Sequence, residues 1–234
     1  MTLTDLVARA RCLLIDFDGP ICAVFAQHPA ATVAAQLHGI IRAHLAEAVP
    51  PPLTAENTDP LQILSQVAEL EDNELTRAVA DACRDAEITA VATATPTDGA
   101  ADVMRVAHES GRRVVIVSNN AIAAIEAYLH AYDLTRYIYA TAARYDGMNP
   151  RLLKPHPFLV EQGLRAAREQ PEDAAFIGDS VSDIEAGQAA GIATIGYANK
   201  PGKGERLIGA RADAVVETMR DVSSAVRTAT SSST

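Results

Sequence analysis

Four short clusters in this 234-residue sequence carry side chains that could act together on a phosphate ester. In Asp16-Phe17-Asp18-Gly19 two carboxylates stand two residues apart, and an extended chain projects such a pair to the same side. Gly19 permits a sharp exit that other residues disfavour. Taken alone, the tetrapeptide reads equally well as the start of a loop, because carboxylates are common in turns. Ser118-Asn119-Asn120 closes an apolar run and, by itself, suits a helix N-cap. Lys154 precedes Pro155, which restricts the backbone, and Pro157, which can start a helix. In Gly178-Asp179-Ser180-Val181-Ser182-Asp183, both acids suit the first turn of a helix on their own.

Brought together, the same residues describe a reaction. Asp16, Asp18 and Asp179 are hard oxygen donors of the kind Mg²⁺ takes alongside water and phosphate oxygens. An ion is required on electrostatic grounds. A carboxylate about 4 Å from one phosphate charge is repelled by roughly 4 kcal/mol at an effective dielectric near 20. Mg²⁺ and Lys154 reverse that sign, while the Ser118 hydroxyl and nearby N–H groups, beginning with the Asn119 segment, hold phosphate oxygens. Asp16 is then free to form an aspartyl-phosphate, and Asp18 to protonate the leaving oxygen and deprotonate water.

Elements that could position such a site are legible in the hydrophobic pattern. Cys12–Phe17, Arg113–Ser118, Ile138–Thr141, Ala174–Gly178 and Ile192–Gly196 read as short buried strands. Helical stretches separate them, at Asp98–Ser110, Asn120–Tyr132, Pro157–Glu169 and Ser182–Ala190. The alternation implies right-handed crossovers and a parallel sheet covered on both faces. Residues 27–92 break this rhythm. Val33, Leu37, Ile40, Ile41 and Leu45 follow helical spacing, as do Ile63, Leu64, Val67 and Leu70, then Leu75, Val79 and Cys83. Pro50-Pro51-Pro52 separates the first two helices, since consecutive prolines cannot continue one.

The order of these pieces resembles the haloacid dehalogenase (HAD) superfamily of phosphohydrolases. Asp16–Gly19 matches its Asp-x-Asp-Gly motif, Ser118 its strand-ending Ser or Thr, Lys154-Pro155 its lysine motif, and Gly178–Asp183 its Gly-Asp-x-x-x-Asp motif. The resemblance implies an α/β fold, a Rossmann-like three-layer α/β/α core with a parallel sheet plus an inserted helical cap of the phosphoglycolate phosphatase or β-phosphoglucomutase type. The core is then 1–26 and 93–227, the cap 27–92, and 228–234 a Ser/Thr-rich disordered tail. It further implies Asp16 as nucleophile, Asp18 as general acid/base, and Ser118, Asn119 and Lys154 as phosphate-binding. Mg²⁺ would sit on Asp16, the Asp18 carbonyl and Asp179, with Asp183 orienting that shell. Dehalogenases of the family usually lack the second aspartate, so Asp18 favours phosphate chemistry. Pro20 departs from the Thr or Val common in relatives and removes one N–H.

Composition bounds the alternatives. A formal charge of −10 argues against a nucleic-acid backbone as partner. No apolar run reaches the length of a membrane span, and the N-terminus does not read as a secretory signal, so a cytoplasmic protein is expected. Cys12, Cys22 and Cys83 read as reduced, packed thiols. Gly196–Lys203 imitates a nucleotide phosphate loop but has the wrong spacing, and reads as a surface turn. His38 and His44 read as ordinary polar positions and His28 as a weak candidate for substrate contact. The expected function is a Mg²⁺-dependent phosphatase of a small phosphorylated metabolite. A phosphomutase that returns the phosphoryl group to substrate is the alternative. A phospho-acceptor signalling module is the remote one, disfavoured by the cap-sized insert. Oligomeric state is left open by the sequence.

Overall fold

The computed structural model describes residues 2–46, 50, 53 and 57–231. In chain order, α1 (Leu3–Arg9) leads into β1 (Cys12–Ile15) and a two-residue β2 (Cys22–Ala23). Three helices follow, α2 (Ala30–Leu45), α3 (Pro60–Ala68) and α4 (Asn73–Val91), and then β3 (Thr95–Pro96). The remainder alternates: α5 (Ala100–Glu109), β4 (Arg113–Ala121), α6 (Ile122–Ala131), β5 (Ala140–Arg144), α7 (Phe158–Ala167), β6 (Ala174–Gly178), α8 (Val181–Ala189), β7 (Ala193–Tyr197), α9 (Lys203–Gly209), β8 (Ala214–Val216) and α10 (Met219–Ser231).

The main sheet has six parallel strands in the order β5-β4-β1-β6-β7-β8. Numbered among themselves, these strands run 3-2-1-4-5-6, and the direction of winding reverses between β1 and β6. In such sheets ligands bind beyond the carboxyl ends of the strands at that reversal. The expected Rossmann-like α/β/α core is therefore present. Successive residues of β1 serve opposite faces. Leu13 and Ile15 join the core beneath α1, α5, α6 and α10, while Cys12 and Leu14 join the core shared with α7, α8 and the inserted helices. Every one of these β1 side chains is fully buried, as a strand covered on both faces requires.

The inserted helices pack on one another through the positions that the spacing singled out: Val33, Leu37 and Ile41, Ile63, Leu64 and Val67, Leu75, Val79 and Cys83. Asp59 caps α3, with Pro60 at its first position, and Asp72 caps α4 through the N–H groups of Glu74 and Leu75. Of the proline run expected to break α2 from α3, Pro51 and Pro52 lie outside the described residues. The insert leaves and rejoins the core through the antiparallel pair β2–β3, with Cys22 opposite Pro96.

Three expectations need correction. Thr228–Ser231 is not a disordered tail but the last turn of α10, because Val222, Ala225, Val226 and Ala229 form a buried stripe against the core. β5 begins two residues later than expected and ends on a buried charged residue, Arg144, that hydrophobicity could not flag. Asn120 does not start a helix. β4 continues through Asn120 and Ala121 because a carboxylate from α4 binds both, as described below.

Candidate active site

β1 stops at Ile15 and delivers Asp16 to the carboxyl edge of the sheet, where the Asp16 N–H still donates to the Ile177 carbonyl of β6 at 2.9 Å. The backbone then turns. Gly19 adopts φ +105°, and the N–H groups of Ile21 and Cys22 both return to the Phe17 carbonyl. An added Cβ at Gly19 would stand 2.3 Å from Asp179 Oδ2, so the turn and the end of β6 touch through the missing side chain. Pro20 sits inside this turn, whose flanking N–H groups are bonded internally.

The Lys154 ammonium is the hub. It contacts Asp16 Oδ1 at 2.8 Å, Asp183 Oδ1 at 2.6 Å and the Val117 carbonyl at 3.2 Å, three acceptors for three N–H donors. Burial opposes its charge, but Asp16 and Asp183 outweigh that and hold Lys154 above the ordinary lysine range. Burial pushes Asp16 up to about 7, against the pull of Lys154, and pushes Asp18 up to about 6. Asp183 caps α8, its Oδ2 accepting from the Ser180 N–H at 2.9 Å and the Ser180 hydroxyl at 2.6 Å. Asp18 Oδ1 accepts the Val24 N–H at 2.9 Å. All four aspartates, with Ser118 and Lys154, line one crevice of about 730 Å³.

One oxygen from each of Asp16, Asp179 and Asp183 lies within 4.8 Å of the others, a hard-donor set that fits a divalent cation such as Mg²⁺. The Asp18 carboxylate is outside that cluster, is held by the Val24 N–H instead, and lines the crevice. Ser118 is buried, with its hydroxyl near Asn120 Oδ1 at 3.2 Å. Asn119 differs from expectation. Its side chain clasps the backbone of Lys154, Oδ1 accepting from the Lys154 N–H at 2.8 Å and Nδ2 donating to the Lys154 carbonyl at 3.1 Å. It therefore positions the lysine.

A family profile described as haloacid dehalogenase-like hydrolase matches residues 10–191, from just ahead of β1 to the end of α8. The chain belongs to the haloacid dehalogenase-like hydrolase family. Phosphoglycolate phosphatase of Salmonella typhimurium is 27% identical over 122 residues, 52% of this chain and 47% of that one. The Escherichia coli K12 phosphoglycolate phosphatase is 27% identical over 125 residues, with the same coverage of 52% and 47%. The chain thus spans about half the length of the curated relatives it matches. Among solved structures, CbbY from Rhodobacter sphaeroides in complex with phosphate superposes with a TM-score of 0.65 at 17% identity, covering 91% of this chain and 96% of that one. A HAD-superfamily hydrolase from Ehrlichia chaffeensis gives 0.58 at 18% identity, covering 94% and 97%. At such identities the likeness is one of fold.

Two groups at this HAD-type site were not anticipated. Lys203, which the sequence places in a surface turn, forms an ion pair with Asp179 and donates to Asn199 Oδ1 at 2.9 Å. Asn199 Nδ2 in turn donates to Asp179 Oδ2 at 3.0 Å. Composition carried a signal: the chain holds three lysines against seventeen arginines, and Lys154, Lys200 and Lys203 all belong to this edge. The second group is Glu87 of α4, wholly buried. It accepts from Arg144 at 2.6 Å, from the Ala121 N–H at 2.8 Å and from Asn120 Nδ2 at 3.2 Å. Arg144 Nε also donates to the Asn119 carbonyl at 3.0 Å. The segment beyond Ser118 is thereby fixed by a charge pair reaching in from the insert. Of the histidines, His38 is buried rather than ordinary, its Nε2 2.8 Å from the Asn57 carbonyl, and His44 pairs with Asp72 at 2.8 Å. His28 is absent from the described crevice lining. The three cysteines are buried and free, and no described helix is long and apolar enough to cross a membrane.

Proposed function

We propose that the chain hydrolyses a small phosphomonoester through an aspartyl-phosphate on Asp16. The observation that carries this reading is the juxtaposition of Asp16, fixed by Lys154 on the crevice floor, with Asp18 facing the same crevice. An Asp16 oxygen attacks phosphorus as the ester P–O bond breaks, and Asp18 gives its proton to the departing oxygen. Water then attacks the phosphorus of the aspartyl-phosphate, passing its proton to Asp18 and releasing phosphate and the Asp16 carboxylate. A carboxyl raised to about 6 holds and yields a proton near neutrality, which suits both steps. Ser118 and Lys154 bind phosphoryl oxygens, and Asn119 keeps Lys154 in register. Asp16, the Asp18 carbonyl and Asp179 would hold Mg²⁺, with Asp183 supporting the shell; when bound, the ion supplies the positive charge that offsets repulsion between phosphate and carboxylates.

Residues 27–92 act in this reading as a cap, supported by Thr58, Gln62 and Ser65 in the crevice lining. The lining also favours hydrolysis over phosphoryl return. A mutase must rebind a bisphosphate, yet the described residues of the insert bring Asp59 and neutral groups to the crevice and no lysine or arginine. The phosphoglycolate phosphatase relatives agree with a substrate bearing one phosphate.

The test is Asp16→Asn assayed with Mg²⁺ on a panel of phosphomonoesters. Turnover should vanish while circular dichroism and melting stay those of the folded protein. Near-normal phosphate release from the variant would overturn the assignment.

A further inference from the structure

Asp179 is already occupied by a cation that belongs to the chain. The Lys203 ammonium pairs with Asp179, Asn199 bonds to both, and the Lys203 and Asp179 side chains are each only 15% exposed. Asn199 and Lys203 bracket a short loop in which Gly202 adopts φ +74°, so the loop returns the lysine to the strand edge. The choice of lysine is pointed in a chain with only three lysines against seventeen arginines. An ammonium is a compact point charge on a flexible stem, whereas a guanidinium is a planar fork that commits to a bidentate partner. A point charge is the closest a side chain comes to imitating a metal ion.

We propose that Lys203 is a tethered counter-ion, holding Asp179 while no metal is bound and leaving it when a divalent cation binds. The inference rests on the reading that Asp16 and Asp179 hold such a cation. Without metal, the carboxylates of Asp16, Asp179 and Asp183 face one another across less than 5 Å, with Lys154 serving only Asp16 and Asp183. Lys203 supplies the charge that Asp179 lacks. A dication on Asp179 would stand beside that ammonium, and like charges sharing one carboxylate repel. The lysine stem is long enough to withdraw without moving the backbone. Released, it adds a positive charge to the crevice rim, close to where an anionic substrate arrives.

The small number of lysines makes the exchange directly readable. The folded protein is acetylated briefly with an N-hydroxysuccinimide ester, with and without saturating Mg²⁺, and each lysine is quantified by peptide mass spectrometry. Lys203 should become several-fold more reactive with Mg²⁺, exposed Lys200 should change little, and buried Lys154 should stay protected. Calorimetric titration with Mg²⁺ alone gives a second readout: Lys203→Met should bind the ion roughly tenfold tighter, since a competing charge is gone, and melt lower when metal-free. Equal protection of Lys203 with and without bound Mg²⁺, or unchanged or weaker binding in the variant, would overturn the proposal while leaving the metal reading intact. Absence of Mg²⁺ binding in both proteins would overturn the metal reading and this inference with it.

Discussion

Gly19 and Asp179 come from the ends of adjacent strands and meet where a side chain would otherwise stand. At Gly19 a methyl group meets two obstacles at once, a left-handed φ of +105° and Asp179 Oδ2 at 2.3 Å. Gly19→Ala should therefore push the turn away from β6. Displacements of about 1 Å at a reacting centre cost on the order of 100-fold, so kcat/KM should fall at least that far, with Mg²⁺ affinity falling in parallel. Full activity in the variant would mean the turn can yield without disturbing Asp179. Asp18 carries a separate prediction. Burial holds its carboxyl near 6, and the first step proposed above needs it protonated. A pH profile of kcat/KM should lose rate above that region, and Asp18→Asn should cost about 10²–10⁴-fold and abolish that limb. An unchanged profile would remove Asp18 from the role of acid.

Between elements, a buried polar tie pairs Glu87 with Arg144, joining α4 of the insert to β5 and, through Asn119, Asn120 and Ala121, to the end of β4. Both side chains are almost wholly buried, at 0% and 5% exposed, so removing one leaves the other charged and unpaired. Glu87→Ala should destabilise by roughly 3–5 kcal/mol in denaturant unfolding, and replacing both partners by methionine should recover much of that. A double variant no more stable than the single one would show that the backbone bonds to Ala121 matter more than the charge pair. This tie also marks the limit of what the sequence discloses. Asp16, Ser118 and Asp179 were legible because apolar runs stop at chemically unusual residues, whereas Lys154, which stands in the loop beyond β5 and not at a strand end, was marked by the prolines that follow it. Glu87 continues the buried spacing of Leu75, Val79 and Cys83, and Arg144 shares the strand face of Ala142, but their charged types read as solvent-facing and only tertiary contact reveals their partners. Lys203 was hidden for a related reason: a lysine after glycine in a turn is ordinary until β6 brings Asp179 beside it.

For the molecule as a whole, the buried carboxylates make stability depend on pH. Asp16 and Asp18 titrate higher in the folded chain than in the unfolded one, at about 7 and about 6. Their contribution to stability is therefore complete below the unfolded carboxylate range and is lost as pH rises through those values. Asp5, Asp72, Asp98 and Asp102 are shifted the other way and finish titrating at lower pH. The melting temperature of the metal-free protein should accordingly fall between pH 5 and pH 8, and saturating Mg²⁺ should flatten that decline. A metal-free melting temperature that rises across this interval would contradict the burial assigned to Asp16. The Rossmann-like layering was legible at this scale because alternating strand and helix patterns are redundant. The β2–β3 pair was not, since two residues from each of two distant segments carry no pattern.

That small pair has a mechanical consequence. Thr97, just past β3, donates its hydroxyl to the Gly19 carbonyl and its N–H to Ile21, while Val24, just past β2, supplies the N–H held by Asp18. Both ends of the insert are thus linked into the very turn that carries the aspartates. Any rotation of the three helices about this strap drags the Asp18 partner with it, like a pawl on a ratchet wheel. The placement of the insert and the hold on the Asp18 carboxylate share one pivot.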